Sequence, residues 1–240
     1  MPDPTPSIDI DTSNATVPAP VYVYEAPIRL WHWTTAVVFF VLCITGFLIG
    51  DPVWPQFIGQ PYYHFLMGDI RLVHFVSGYI LALALLVRIY WAVVGNQYSR
   101  EIFLPKLWSQ AWRQQFVKTI RWYFLIESES GREIGHNSLA QVSMFIMFVF
   151  GVIFEIVTGF ALYGEASGYG SWSYVLFSRW VVPFFGSGQA VHTWHRLGMW
   201  YLVIFVIVHV YMVIREDIMS RQTMLSTMIN GWRYFKNDRQ

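Results

Sequence analysis

The sequence predicts an all-α fold: an integral membrane bundle of four transmembrane helices with both termini in the cytoplasm. The first observation is composition, because 55% of the 240 residues are hydrophobic and only 13% are charged, about half the charged share of a typical soluble domain. The second is length. A hydrocarbon core of about 30 Å needs about 20 apolar residues per helix, and four segments reach that length: roughly 30–50, 71–94, 138–163 and 192–214. No water reaches the backbone inside a bilayer, so each span is expected to be helical.

Turn-forming or polar residues mark the ends of the predicted spans. Asp51-Pro52 follows the first span and Gly95-Asn96 follows the second, and such pairs interrupt helices. The third span begins after the polar stretch GREIGHN (131–137), and the fourth ends at Arg215. The chain is therefore divided into a leader (1–21), one membrane domain (22–225) and a cytoplasmic tail (226–240).

Two further segments are apolar but are not predicted to cross the membrane. Residues 107–125 (LWSQAWRQQFVKTIRWYFL) mix basic and aromatic side chains, a composition typical of a helix that lies on the inner membrane surface. Residues 172–185 (WSYVLFSRWVVPFF) contain Arg179 and Pro183. We therefore expect this second segment to lie at the outer interface or to contact a partner, and not to form a fifth span.

Lysine and arginine are distributed unevenly between the connections, and this asymmetry predicts the orientation. The 95–137 connection holds six of them and the chain after the fourth span holds five, whereas 51–70 holds none and 164–191 holds only Arg179. Basic residues remain on the cytoplasmic side, so both termini and the 95–137 connection are expected there. The leader has five prolines and no basic residue, so we expect a disordered cytoplasmic segment and not a signal peptide.

Composition also excludes several classes of site. Cys43 is the only cysteine, which rules out an internal disulfide, a zinc finger and an iron–sulfur cluster held by cysteines. The net charge is +1, so the chain lacks the basic surplus of a protein that binds nucleic acid. The expected surroundings are the lipid bilayer and other membrane-bound molecules.

Four of the seven histidines lie at or in the predicted spans, where ionisable side chains are costly and usually functional. His74 and His195 lie near the outer ends of the second and fourth spans, and His32 and His209 lie toward the inner ends of the first and fourth. Fourteen residues separate His195 from His209, which is about 21 Å along a helix and returns to the same face. The pattern predicts two stacked pairs: His74 with His195 outside, and His32 with His209 inside.

Haem b fits two histidines per layer better than a bare metal ion does. Haem iron accepts axial histidine, and a b-type haem needs no Cys-x-x-Cys-His motif, which this sequence lacks. Zinc requires three or four ligands. Gly46, Gly78 and Gly198 occur at the level of the outer pair and are expected to leave room for a macrocycle, although close helix packing explains each glycine equally well.

Two charged residues inside the spans are further candidates. Arg88 is on the His74 face at the level of the inner pair; it is expected either to bind a propionate of the inner haem or to extend toward the inner surface. Glu155 is expected to be protonated or hydrogen-bonded to a neighbouring helix, with a proton path as the alternative role. A short repeat, ITGFLIG (44–50) and VTGFALYG (157–164), gives minor support for haem, since such motifs are common in membrane helices.

The chain also resembles a known family, on four stretches: YVYEAPIRLWHW (22–33), FLMGDIRLVHF (65–75), RIYWAVVGNQYSREIF (88–103) and HTWHRLGMWYLVIFVIVHVYMVIRE (192–216). Residues from about 22 to 225 resemble the b-type cytochrome subunit of membrane-bound nickel–iron hydrogenases, which is related to the gamma subunit of respiratory formate dehydrogenases. The resemblance implies two b haems, with axial ligands His32, His74, His195 and His209. It also implies a bacterial inner-membrane protein that anchors a periplasmic hydrogenase through the small subunit, and the large subunit through it, and passes electrons to membrane quinone.

The expected path of electrons runs from the outer haem to quinone at the cytoplasmic side. The stretch GREIGHNSLAQ (131–141) supplies polar groups there. His136 is expected to deliver a proton, since imidazole exchanges protons near neutral pH, and Asn137 resembles the asparagine that contacts quinone in the formate dehydrogenase subunit. The alternative is that Asn137 caps the third helix and His136 is an ordinary interfacial histidine. His64 and His192 are expected at the outer surface as partner contacts.

Other functions remain open at this point. The cytochrome b of a formate dehydrogenase or another reductase belongs to the same class. A proton-coupled transporter would use membrane histidines too, but it predicts an inverted repeat and broken helices, neither of which is clear in this sequence. A simple membrane anchor would not need two aligned histidine pairs. In the leading interpretation the chain carries electrons and does not itself activate hydrogen, because it has no cysteines to hold nickel or iron–sulfur clusters.

Overall fold

The computed structural model describes residues 20–51, 65–127, 134–219 and 223–234. Its elements in chain order are β1 (Val21–Tyr22), α1 (Ala26–Gly50), α2 (Leu66–Val94), a 3-10 turn (Gln97–Arg100), α3 (Gln110–Tyr123), α4 (Ser138–Ser167), α5 (Tyr174–Phe185), α6 (Gly188–Met219), α7 (Met224–Asn230) and β2 (Trp232–Arg233). The two short strands pair antiparallel. The prediction of an all-α bundle is confirmed.

Four of these helices are long and apolar enough to cross a membrane, as the hydropathy pattern predicted. They are α1, α2, α4 and α6, with 25, 29, 30 and 32 residues. Each is longer than its predicted span, because the ends that lie beyond the apolar stretch continue as helix. At the start of α1, Pro27 occupies the first turn, where its missing N–H leaves no unmet hydrogen bond. In α4, a π-helical stretch (Met144–Val149) interrupts the regular spacing.

The four long helices form two closely packed pairs, α1 with α2 and α4 with α6, and the contacts between the pairs are fewer. The pairs meet at a central apolar core that consists of Val38, Leu81, Leu85, Val152 and Leu202. Every long helix contributes to this core. The burial of these side chains holds the middle of the bundle together.

The segment predicted to lie at the outer interface forms the short helix α5. Its two parts are five and seven residues long, too short for a span, so the prediction that it is not a fifth span is confirmed. The Ser178 hydroxyl donates to the Ala161 carbonyl at 2.6 Å, and Val181 packs with Ala161 and Val191 in a small core. This helix is therefore fixed against α4 and α6.

The opposite end of the molecule carries most of the described polar contacts between helices. We call it the polar end: it is where α1 and α4 begin and where α2 and α6 finish. The helix α3, predicted as a surface helix, packs here; its Trp112 Nε1 donates to Gln141 Oε1 of α4 at 2.9 Å. The Arg215 guanidinium of α6 lies 4.6 Å from the ring centroid of Trp122 and 4.8 Å from that of Tyr123. These contacts attach α3 to the bundle.

The described residues after α6 stay at the polar end, where β2 pairs with β1. In the strand pair, Val21 is opposite Arg233 and Tyr22 is opposite Trp232. Arg233 is only 1% exposed, and its Nη1 donates to the carbonyls of Ile134 and Gly135 at 3.0 Å each. Val21 and Arg233, which lie just outside the predicted domain of 22–225, are thus paired with each other. The predicted leader through residue 19 lies outside the described residues, as do residues 235–240.

Candidate functional site

The outer histidine pair comes together as predicted. His74 of α2 and His195 of α6 face each other with ring centroids 6.4 Å apart and ring planes at 79°. The two rings belong to different helix pairs, so they face each other across the boundary between α1/α2 and α4/α6. We call this pair the outer layer.

Each ring in the outer layer is held at its Nδ1 atom by a threonine of another helix. His74 Nδ1 lies 2.9 Å from Thr45 Oγ1 of α1, and His195 Nδ1 lies 2.8 Å from Thr158 Oγ1 of α4. Each threonine hydroxyl donates its own proton to the carbonyl four residues earlier, at 2.7 Å in both cases. The threonine oxygen must then accept from the histidine, so the proton is on Nδ1 and the lone pair is on Nε2.

The carboxyl group of Glu155 also lies beside His195. Its Oε2 lies 3.0 Å from His195 Nδ1, while its Oε1 is buried with no hydrogen-bond partner among the described residues. Glu155 therefore contacts a neighbouring helix, α6, at one of the predicted ligands.

The inner pair, His32 of α1 and His209 of α6, lies toward the polar end. The ring of Phe205 stacks on His209 with centroids 5.7 Å apart, and Trp33 packs edge-on against His32 at 5.1 Å. The Nδ1 atom of His32 is buried and, in the part of the chain that the structure describes, has no partner. We call this pair the inner layer.

The central apolar core separates the two layers. Val38 lies between His32 and Thr45 along α1, and Leu202 lies between His195 and His209 along α6. The arrangement gives two polar sites about 20 Å apart along the helices, with an apolar zone between them that excludes water.

Arg88 is buried near the inner layer. It is 2% exposed, and its guanidinium carbon lies 5.2 Å from the ring centroid of Trp31, the neighbour of His32, and 5.1 Å from that of Phe103. Its Nε and Nη1 atoms have no hydrogen-bond partner among the described residues. A buried cation with unused donors is costly unless an acidic group pairs with it, so this site fits a carboxylate.

His136 is the centre of a hydrogen-bonded group at the polar end. Its backbone N–H donates to Glu101 Oε2 at 2.8 Å, and its Nδ1 lies 3.2 Å from the same oxygen and 3.1 Å from the Tyr24 hydroxyl. Burial, reinforced by the Glu101 carboxylate, raises the pKa of Tyr24 above its ordinary value. The phenol therefore keeps its proton. Because Tyr24 lies just before α1, the helix that carries His32, this group is at the same end of the bundle as the inner layer.

Asn137 caps α4, which is the alternative role considered for it. Its Oδ1 accepts from the Ala140 N–H at 2.7 Å, and its Nδ2 donates to Glu216 Oε2 of α6 at 3.0 Å. The side chain is 7% exposed. Asn137 thus joins the start of α4 to the end of α6 beside His136.

The donor set fits haem iron. Nowhere in the described residues do three or more histidine, cysteine or acidic side chains cluster to hold a bare metal ion, whereas two neutral imidazoles suit the axial positions of haem. The 6.4 Å between the outer ring centroids also leaves room for one metal with a bond of about 2 Å to each ring. Together with the unused donors of Arg88, these features favour a macrocycle that carries propionates.

The glycines near the outer layer have different surroundings. A Cβ on Gly46 would lie 3.2 Å from His74 Cε1, and nothing lies within 4 Å of one on Gly78, so there is open space at that position. A Cβ on Gly198 would meet Glu155 and the Phe154 ring, so this glycine serves the close packing of α6 on α4. Gly159, which the sequence did not single out, is placed like Gly46: its Cβ would lie 3.3 Å from His195 Cε1.

Other predicted positions are separate from the two layers. His64 lies outside the described residues, and His192 is exposed on α6. A depression of 510 Å³ on α3 is lined by Arg113, Lys118 and Arg121 but by none of the histidines. Sequence reasoning did not identify Thr45 and Thr158 as residues of the site. The TGF repeat, which contains both, was the only sequence feature that could have indicated them.

Comparisons with known proteins agree with this site. Residues 23–231 match the family described as prokaryotic cytochrome b561. Relatives from Azotobacter chroococcum mcd 1 and Azotobacter vinelandii are each 54% identical over 219 residues, covering 91% of this chain and 90% of the relative. A Cupriavidus necator relative is 50% identical over 216 residues, covering 90% and 88%.

All three relatives are named "Probable Ni/Fe-hydrogenase B-type cytochrome subunit", so the resemblance seen in the sequence is confirmed. A b-type cytochrome carries haem b, in agreement with the paired imidazoles. The four apolar helices identify an integral membrane protein. The chain belongs to the prokaryotic cytochrome b561 family.

Proposed function

We propose that the chain is the di-haem cytochrome b subunit of a hydrogen:quinone oxidoreductase. It anchors a periplasmic nickel–iron hydrogenase to the bacterial inner membrane and passes the electrons of that enzyme to membrane quinone. The observation that carries the proposal is the outer layer, where two imidazoles from different helix pairs face each other at 6.4 Å with both Nδ1 atoms restrained. The names of the relatives support the hydrogenase as partner.

Four histidines hold the two haems in this proposal. His74 and His195 are the axial ligands of the outer haem, and His32 and His209 are those of the inner one. Bound haem supplies one-electron chemistry, while the protein sets its position and potential. The apolar core keeps water from the zone between the layers, and Arg88 pairs with a propionate of the inner haem.

The proposed orientation places the polar end in the cytoplasm, with both termini. The excess of lysine and arginine in the 95–137 connection and after α6 supports it. The hydrogenase small subunit then docks at the opposite end, beside the outer layer, and the large subunit is bound through it. Several side chains of the 172–185 segment are exposed and apolar, which suits a docking surface: Trp172, Val175, Leu176, Trp180 and Phe184.

The proposed quinone site is at the polar end, beside the inner layer. Quinone reduction consumes protons, so the site needs groups that exchange protons with the cytoplasm. His136 supplies a proton there, and the Glu101 carboxylate and the Tyr24 hydroxyl, both within 3.2 Å of its Nδ1, orient its ring. Asn137 is included because it adjoins His136 and connects α4 with α6.

Haem quantification on the variants His32→Ala, His74→Ala, His195→Ala and His209→Ala tests the ligand assignment. Each variant is expected to lose one of two haems. The two variants of one layer should lose the same haem: His74→Ala and His195→Ala remove one spectral component, and His32→Ala and His209→Ala remove the other. His192→Ala, on the exposed face of α6, is the matched control and should retain both. If His74→Ala and His209→Ala removed the same component, the pairing would be wrong.

A further inference from the structure

Each of the two outer histidines contacts the threonine and glycine of one copy of the TGF repeat, and the two sets of contacts are alike. We refer to such a set of residues as a seat. In each seat a threonine binds the histidine Nδ1, at 2.9 Å for Thr45 and 2.8 Å for Thr158. The next residue in each is a glycine whose added Cβ would be 3.2 or 3.3 Å from the histidine Cε1. The seats are on α1 and α4, and the histidines are on α2 and α6. We call the residues Thr45 and Gly46, and Thr158 and Gly159, the two TG seats.

The threonine in each seat determines the tautomer of its histidine. A hydroxyl has one proton, and here it is given to the carbonyl of Val41 or Phe154. The oxygen facing the ring can then only accept, so the ring must present Nδ1–H to it. The lone pair of the neutral imidazole is therefore on Nε2, and an imidazole in this form can bind a metal.

The glycine in each seat determines how closely the ring approaches. Contacts between a Cβ and another carbon at 3.2 or 3.3 Å are tighter than ordinary van der Waals contact, so an alanine at Gly46 or Gly159 would push the ring by a few tenths of an ångström. Since the ring is hydrogen-bonded to the preceding threonine, such a push changes the orientation of the ring and the direction of Nε2.

We propose that the TG seats are positioning sites for the outer haem: Thr45 with Gly46 orients His74, and Thr158 with Gly159 orients His195, each fixing Nε2 as the iron-binding nitrogen. This inference rests on the proposed ligand set. It explains why the repeat occurs on α1 and α4, the two helices that supply no ligand to the outer layer. It also gives α4, which supplies no ligand at all, a direct part in the site.

The two seats are not equivalent, and this difference makes the inference testable. His74 has Thr45 as its acceptor, whereas His195 has Thr158 and also a carboxyl oxygen of Glu155 3.0 Å from its Nδ1. Removing the threonine hydroxyl should therefore affect His74 more than His195. An acceptor at Nδ1 raises the basicity of the imidazole, which favours the ferric state, so its loss should shift the midpoint potential of the outer haem to more positive values.

The experiment compares Thr45→Val, Thr158→Val and Thr35→Val in the purified holoprotein. Thr35 is the matched control, because it is a buried threonine of α1 whose hydroxyl has no hydrogen-bond partner among the described residues. Haem content, the low-spin spectrum of each haem and redox titration are the readouts. Thr45→Val is expected to weaken retention of the outer haem by about 10–100-fold and to raise the midpoint potential of that haem. Thr45→Ser keeps the hydroxyl, so its haem retention and midpoint potential should remain close to those of the parent protein.

Glu155 provides the internal comparison. Thr158→Val alone should give a smaller change than Thr45→Val, and Thr158→Val with Glu155→Met should give a change as large as Thr45→Val. Gly46→Ala tests the steric part independently of the hydroxyl: it should alter the spectrum of the outer haem only. Gly68→Ala is its control, since a Cβ there meets nothing within 4 Å.

The outcomes separate the seats from the ligand set. If His74→Ala lost the outer haem while Thr45→Val and Gly46→Ala left its spectrum, potential and retention unchanged, the TG seats would be refuted and the ligand assignment would stand. If His74→Ala kept both haems, the ligand assignment itself would fail. Equal effects of Thr35→Val and Thr45→Val would also overturn the inference, because they would show a general effect of losing a buried hydroxyl on α1.

Discussion

Arg88 shows how one side chain can indicate a missing partner. A guanidinium has five N–H donors, and a fully buried one is stabilised only if acceptors compensate for the lost water. The aromatic rings of Trp31 and Phe103 provide cation–π contacts, each contributing roughly 0.5–2 kcal/mol, but they accept no hydrogen bonds. The unused Nε and Nη1 donors therefore favour a carboxylate ligand over simple extension of the side chain toward the surface.

Replacing Arg88 is expected to affect the inner haem selectively. Arg88→Met keeps the length of the side chain but removes the charge, and it should lower retention of the inner haem by about tenfold without changing the spectrum of the outer haem. Arg71→Met is the control, because Arg71 is exposed on the same helix. The measurement is haem content after extended detergent washing. An unchanged content in Arg88→Met would leave Arg88 with a purely structural role.

The start of α4 is the element in which structural and functional roles overlap. Asn137 provides the N-cap hydrogen bond to Ala140 and contacts Glu216, so any substitution there changes the start of the helix as well as the proposed quinone site. His136 immediately precedes it and carries no cap duty. Serine preserves the cap at this position better than alanine does, since caps of asparagine and serine are about equally good and loss of a cap costs about 1 kcal/mol.

The double variant His136→Ala/Asn137→Ser is therefore the suitable test of the quinone site. It should keep both haems and their reduction by hydrogen, yet quinone reduction should fall by about a hundredfold, the usual contribution of a group that transfers protons. Turnover is measured with the intact hydrogenase complex. The single variants His136→Ala and Asn137→Ser show how much of the loss of quinone reduction each residue accounts for. Quinone reduction at the parent rate would place the site elsewhere on the molecule.

The whole molecule consists of two helix pairs, with the proposed cofactors at the boundary between them. His74 and His195 are on opposite sides of that boundary, and so are His32 and His209. Direct contact between the pairs includes the central apolar core and a few aromatic pairs between α2 and α4, such as Phe75 with Tyr163. Each haem would thus act as a bridge as well as an electron carrier, because its two axial bonds join α6 to a helix of the other pair.

Removal of haem is accordingly expected to weaken the association of the two pairs. A ligand at a thousand times its Kd stabilises the folded state by about 4 kcal/mol, so the haem-free chain should unfold at a lower concentration of denaturing detergent than the reconstituted one. Unfolding titrations of both forms measure this difference. Because His74→Ala can bind only one haem, adding haem to it should restore only part of the difference in stability. Equal stability of all forms would show that the haems do not join the pairs.

The number of spans, their approximate limits and the two histidine levels follow from the sequence, since hydrophobic length, charge asymmetry and helical phase are properties of one segment at a time. An α-helix is regular enough that the depth and face of His195 and His209 can be calculated from their spacing. The contacts between segments follow different rules. That Thr45 bonds to His74, that Glu155 lies beside His195, and that Arg233 pairs with Val21 depends on how segments distant in the sequence are rotated against each other. That rotation is set by the packing of many side chains at once. For this reason only the tertiary structure could show that the TGF repeat, whose residues are common in membrane helices, makes the same contact with a histidine on two helices.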